Sequence, residues 1–197
     1  MEIIQTPVYT FDELSDQAKE KARAWWREGA LHDDWWECVY ADAKNVAKLF
    51  GLDIEHIWFS GFSRQGDGAC FEGDYRYKKG ALAAVKAYAP QDTDLHYVVK
   101  ALQDAQRRAF YKLGATTKHR GHYYHSGCMG VDVCHLDDRW RDIGSTEDDI
   151  KKALRDFADW IYRQLEREYE YLMSDEQADE AIRANGYTFT EYGKRFG

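Results

Sequence analysis

Apolar residues recur at helical spacing in about six stretches of the chain. In four shorter ones they alternate, or cluster with β-branched residues, as strands do. Ser15 is placed to cap the helix DQAKEKARAWWREGAL, where Leu14, Ala18, Ala22 and Trp25 form the apolar stripe. A second helix is expected from Asp33 or Asp34, with Trp36, Val39, Ala43, Val46 or Ala47, and Phe50 on one side, and Gly51 stopping it. These two helices read as an antiparallel pair. A short helix at GALAAVKAYA ends at Pro90, and a longer one runs from about Asp94 to Leu113, closed by Gly114. The longest runs from about Thr146 to Met173. Its stripe is Ile150, Ala153 with Leu154, Phe157, Trp160 with Ile161, Leu165, Tyr169 and Leu172. SDEQ at 174–177 fits a capping box and opens a last short helix that ends near Asn185-Gly186.

Between these helices the period changes to that of strands. IEHIWFSGF (54–62) and ACFEGDYRY (69–77) read as one hairpin. In the second strand Phe71, Tyr75 and Tyr77 share one parity, and Glu72, Asp74 and Arg76 the other. The expected turn is at Asp67-Gly68. TTKHRGHYY (116–124) and CMGVDVCHL (128–136) read as a second hairpin joined tightly through HSG, with Met129, Val131 and Val133 toward the core. The order ααββααββαα predicts an α+β fold. Two β-hairpins form an antiparallel sheet of about four strands, with about six helices packed on one face.

Composition narrows this further. The 197 residues include only two prolines, so no Pro-rich linker divides them, and a single α+β domain over 1–197 is expected. Seven Trp and 14 Tyr go with a folded core. The net charge of −8, with both signs interspersed, argues against a nucleic-acid binder. No apolar run reaches the roughly 20 residues that span a bilayer. The opening MEIIQTPVYTF lacks the basic and long apolar regions of a secretory signal, so the cytoplasm is the expected location. The four cysteines are then expected as thiols, and no C-x-x-C pair occurs.

FSGFSRQGDGACFEGDY, at 59–75, spaces Gly61 and Gly66 as a phosphate loop would. Asp67-Gly68 stands where such a loop needs Lys-Ser or Lys-Thr, and a strand follows instead of a helix. The segment therefore reads as a hairpin tip carrying Arg64 and Gln65, a binding feature more than a catalytic one. In KHRGHYYHSGC, His119, His122, His125 and Cys128 recur every three residues. Imidazole and thiolate suit zinc, but residues three apart on a strand face opposite ways. A turn after Tyr124 could still join His125 to Cys128. No local signature of a cysteine hydrolase surrounds Cys128 or Cys134.

VYTFDELSDQAKEKARAWWREGA, FSGFSRQGDGACFEGDYRY, GHYYHSG and SDEQADEAIRANGYTF together resemble a family of uncharacterised bacteriophage and prophage proteins. Some members are labelled as the antitoxin of a toxin–antitoxin stability system. The resemblance implies a small accessory protein of a mobile element, acting in the bacterial host cytoplasm. It implies no catalytic residue. Two functions follow. The first is binding and inhibition, without catalysis, of a host or phage protein, as an anti-defence protein such as an anti-CRISPR or as an antitoxin. Its surface would comprise Arg64, Gln65, Asp67, Glu72, His122, Tyr124 and Asp132. The alternative is a metal-binding protein or metal-dependent hydrolase using the 119–135 cluster, with zinc on His119, His122, His125 and Cys128.

Overall fold

The computed structural model describes residues 6–139 and 142–197; the first five residues of the opening segment and residues 140–141 lie outside them. In chain order the elements are β1 (Tyr9–Thr10), α1 (Asp16–Ala30), α2 (Glu37–Phe50), β2 (Leu52–Phe59), β3 (Ala69–Arg76), α3 (Ala81–Tyr88) and α4 (Thr93–Arg108). There follow β4 (Leu113–His119), β5 (Met129–His135), α5 (Thr146–Met173), α6 (Asp175–Ala184), β6 (Thr188–Phe189) and β7 (Arg195–Phe196). The fold is α+β, with six α-helices and two antiparallel sheets among the described residues. The chain packs as two compact units, one of residues 1–37 and 167–197 and the other of residues 38–166.

The larger unit is built on the four-stranded sheet, ordered β2-β3-β4-β5 with every neighbour antiparallel. The two expected hairpins thus share one sheet, joined where Gly73 to Arg76 of β3 pair with Gly114 to Thr117 of β4. One face carries Leu52, Ile54, Ile57, Phe71, Tyr75, Leu113, Ala115 and Val131, all buried. A bulge between Ile54 and His56 keeps Ile54 and Ile57 on that face despite their odd spacing. The covering helices supply Phe50, Leu95, Leu102, Leu154 and Phe157, likewise buried. The Phe157 ring lies 5.0 Å from that of Phe50 and 5.9 Å from that of Phe71, so α5 ties α2 to the sheet. Asp92 caps α4 by accepting from the Leu95 N–H at 2.9 Å, and its other oxygen accepts from the Trp160 indole at 2.7 Å.

Helix α4 ends five residues before the expected Leu113. Phe110 and Tyr111 turn left-handed, with φ of 53° and 62°, and free residues 113–119 for β4. Gly114, expected as the helix stop, is a strand residue. Gln106 explains why the chain turns back here. Its buried amide donates to the Leu113 carbonyl at 2.8 Å and accepts from the Leu113 N–H at 3.1 Å, satisfying the first residue of β4 as a neighbouring strand would.

In the smaller unit, Ser15 caps α1 as expected, accepting from the Ala18 N–H at 3.3 Å. Ser174 does the same for α6 through the Gln177 N–H at 3.2 Å. The partner of α1 is α6, from the far end of the chain. The Arg23 guanidinium grips both oxygens of Asp179, at 2.6 and 2.9 Å, and holds that carboxyl below its ordinary range. Phe11, Leu14, Ala18, Ala22, Ile182 and Phe189 form the core. Tyr9-Thr10 of β1 pairs antiparallel with Thr188-Phe189 of β6, Tyr9 opposite Phe189 and Thr10 opposite Thr188.

Candidate functional site at the hairpin end of the sheet

In the order β2-β3-β4-β5, strands β2 and β4 run the same way. The connections that follow them, residues 60–68 and 120–128, therefore leave the sheet at the same end. Both are longer than the sequence suggests. In the first, the turn is at Gln65-Gly66, not Asp67-Gly68: Gly66 has a φ of 94°, and the Asp67 N–H donates to the Arg64 carbonyl at 3.1 Å. Asp67 folds its carboxylate back to accept from the Arg64 and Ser63 N–H groups at 2.7 and 2.9 Å. The Arg64 N–H is the main cause that holds this carboxyl below its ordinary range. Gly68 has another role. A Cβ there would come within 2.6 Å of the His125 Cβ, so the glycine lets the second connection approach the first. Ser60 Oγ accepts from the Gly68 N–H at 3.2 Å and lies 3.5 Å from the Tyr124 carbonyl that it faces. On the other side, Tyr162 of α5 donates its hydroxyl to the Gly61 carbonyl at 3.0 Å, and its ring stacks on Phe62.

The second connection begins where the β3–β4 ladder stops, at Gly73 opposite Thr117. Beyond that pair Glu72 replaces a strand carbonyl: its Oε1 accepts from the His119 N–H at 3.0 Å. The His119 ring donates from Nε2 to the Tyr123 carbonyl at 3.1 Å. Arg120 N–H closes the loop on the Cys128 carbonyl at 2.8 Å, and a short 3-10 turn spans Ser126–Cys128. The loop turns Tyr124 back over the sheet, where its ring stacks on Trp58 at 6.3 Å and 11°. His119 lies 5.5 Å from Trp58 and 5.2 Å from Tyr124, and His56 lies 5.4 Å from Trp58. The result is a partly exposed cluster of two imidazoles, an indole and a phenol. The same two connections expose Arg64 and Gln65 in the first and Tyr123 in the second.

Five of the seven expected contact residues lie in these connections. Arg64, Gln65, His122 and Tyr124 are exposed. Asp67 shapes its own loop instead of being presented. Glu72 holds the second loop through His119. Asp132 stands three residues along β5 from the loop, exposed and 3.7 Å from Arg120. Trp58 and His56 escaped the sequence reading. Their signal was parity: beyond the bulge, Trp58 pairs with Cys70 and takes the side opposite to Ile57.

The alternative zinc set, His119, His122, His125 and Cys128, is not gathered into one group among the described residues. Strand β4 ends at His119, so the alternation expected through Tyr124 breaks there. His122 is exposed, and His119 is held within the aromatic cluster. His125 and Cys128 do meet, with Nε2 3.2 Å from Sγ. His125 Nδ1 accepts from the Gly127 N–H at 3.1 Å, which places the ring proton on Nε2, facing the sulfur. In that tautomer the imidazole donates to Cys128 and is not poised as its base. Among the described residues no group of three or more His, Cys, Asp or Glu side chains is arranged to hold a metal ion.

A family model described as a domain of unknown function, DUF8835, matches residues 35–175. The chain belongs to the DUF8835 family. The DUF8835 span takes in the whole four-stranded sheet, both connections and every residue of the aromatic cluster. No curated protein and no solved structure matches the chain. Among the described residues, no helix is long and apolar enough to cross a membrane.

Proposed function

We propose that this protein binds and blocks another protein, without catalysis, through the hairpin end of its four-stranded sheet. One observation carries the reading: two loops from separate hairpins leave the same end of the sheet and are pinned to each other at Gly68 and His125, the first exposing Arg64 and Gln65 and the second carrying Tyr124 onto Trp58 and His119. Trp, Tyr and Arg are the side chains that dominate protein–protein contacts, since they give large contact area together with a polar handle. The loops are braced by Asp67, Glu72 and Tyr162, so little order has to be gained on binding. The strands behind them expose Asp53, Asp74 and Asp132, a poor match for a phosphate backbone and a fair one for a protein with basic groups. The resemblance to phage and prophage proteins supplies the class of partner. It is a host or phage protein in the bacterial cytoplasm, blocked by an anti-defence protein such as an anti-CRISPR, or by an antitoxin.

Affinity capture from a phage-bearing bacterial lysate tests this, comparing the wild type with Arg64→Glu/Gln65→Lys. A discrete protein captured by the wild type and lost with the variant supports the reading. Capture that is equal for both, or absent, overturns it.

A further inference from the structure

A second surface belongs to the smaller unit, and the inference drawn from it is independent of the function proposed for the hairpin end. Trp25, Trp26, Trp35, Tyr187 and Leu172 line a cavity of about 670 Å³. None of the three tryptophans is fully buried. Glu28 and Asp33 line the same cavity and are exposed. Among the described residues neither carboxylate forms an ion pair, and neither Lys nor Arg lines the cavity. Aromatic walls with unpaired carboxylates are complementary to a cation that is flat and weakly hydrated.

Two of these rings, Trp25 and Tyr187, already stack against an arginine of the chain. The Arg195 guanidinium carbon lies 4.9 Å above the Trp25 ring and 4.8 Å above the Tyr187 ring, and Arg195 is not among the residues lining the cavity. We infer that the cavity receives an arginine side chain from a basic peptide segment of a partner protein. The guanidinium stacks on the indole walls while Glu28 and Asp33 hold its charge. Arginine fits better than lysine because its planar group stacks and donates in the same plane, whereas an ammonium keeps its water more tightly.

The probes are three synthetic peptides, (Arg-Gly)4, (Lys-Gly)4 and (Glu-Gly)4, titrated into the full chain and read by tryptophan fluorescence and calorimetry. The expected result is saturable binding of (Arg-Gly)4, about tenfold tighter than (Lys-Gly)4. Glu28→Gln/Asp33→Asn weakens it by about tenfold, with the circular dichroism spectrum unchanged. The control Glu55→Gln/Asp148→Asn, which removes the same charge elsewhere, leaves binding as in the wild type. The inference is overturned if (Arg-Gly)4 fails to saturate, if the lysine peptide binds as well, or if both charge variants weaken binding equally.

Discussion

The Glu72 carboxylate accepts the backbone N–H of His119 at 3.0 Å, at the point where β3 and β4 stop pairing. One side chain thus both ends a ladder and anchors the loop that presents Tyr124. In Glu72→Ala the His119 N–H loses its acceptor in a half-buried place, costing about 1–3 kcal/mol. Urea denaturation measures the loss, and hydrogen exchange locates it. The His119 amide should exchange faster in Glu72→Ala, while Glu72→Gln, which keeps an acceptor oxygen, restores protection. Unchanged exchange in both contradicts the anchoring role.

Gly68→Ala places a methyl group against His125 and should destabilise the protein by about 1–3 kcal/mol, because backbone has to move. Gly61→Ala meets nothing closer than the Asp67 carboxylate at 3.6 Å and should stay within about 0.5 kcal/mol of the wild type. Paired denaturation curves check the difference. Equal effects would mean that the close approach of the two loops does not constrain residue 68.

Asp67 gives the tip a pH dependence of definite sign. Its folded carboxyl lies below the ordinary value of 3.8, first because of the Arg64 N–H it accepts. A group depressed in the folded state contributes fully above its unfolded value, and the contribution is lost as pH falls through the folded one. The Ser63 and Arg64 amides should therefore follow a titration with its midpoint below 3.8 by nuclear magnetic resonance. A midpoint at or above 3.8 contradicts the capping of this loop by Asp67.

The cysteines divide by environment. Burial pushes the Cys70 thiol up to about 12, with the neighbouring Cys128 adding to the shift. At pH 8 a thiol reagent should label the exposed Cys38 early and Cys70 only on unfolding. Mass spectrometry of the labelled peptides reads the order, and early labelling of Cys70 would contradict its burial.

Much of the architecture was legible because local chemistry declares it. Ser15, Ser174 and Gly51 bracket their helices, and the alternation of Phe71 and Tyr75 against Asp74 and Arg76 marks a half-buried strand. The end of α4 was not legible, because Phe110 and Tyr111 adopt left-handed backbone without the glycine that usually announces it. Gln106 reads as one more polar helix residue until its distant partner Leu113 is known. The candidate site was half legible. Arg64, Gln65 and Tyr124 stand out in their loops, whereas Trp58 joins Tyr124 only through a sheet that pairs β3 with β4, some 40 residues apart in the chain.

The central claim is that the hairpin end is the contact surface, and site-specific photo-cross-linking tests it most directly. A benzophenone amino acid is placed at Gln65, at Tyr123 and, as a control, at Tyr97 of α4, which is 63% exposed. After irradiation in phage-bearing bacterial cells, positions 65 and 123 should give the same discrete protein adduct and position 97 none. No adduct at 65 or 123, or the same adduct at all three, would contradict the account.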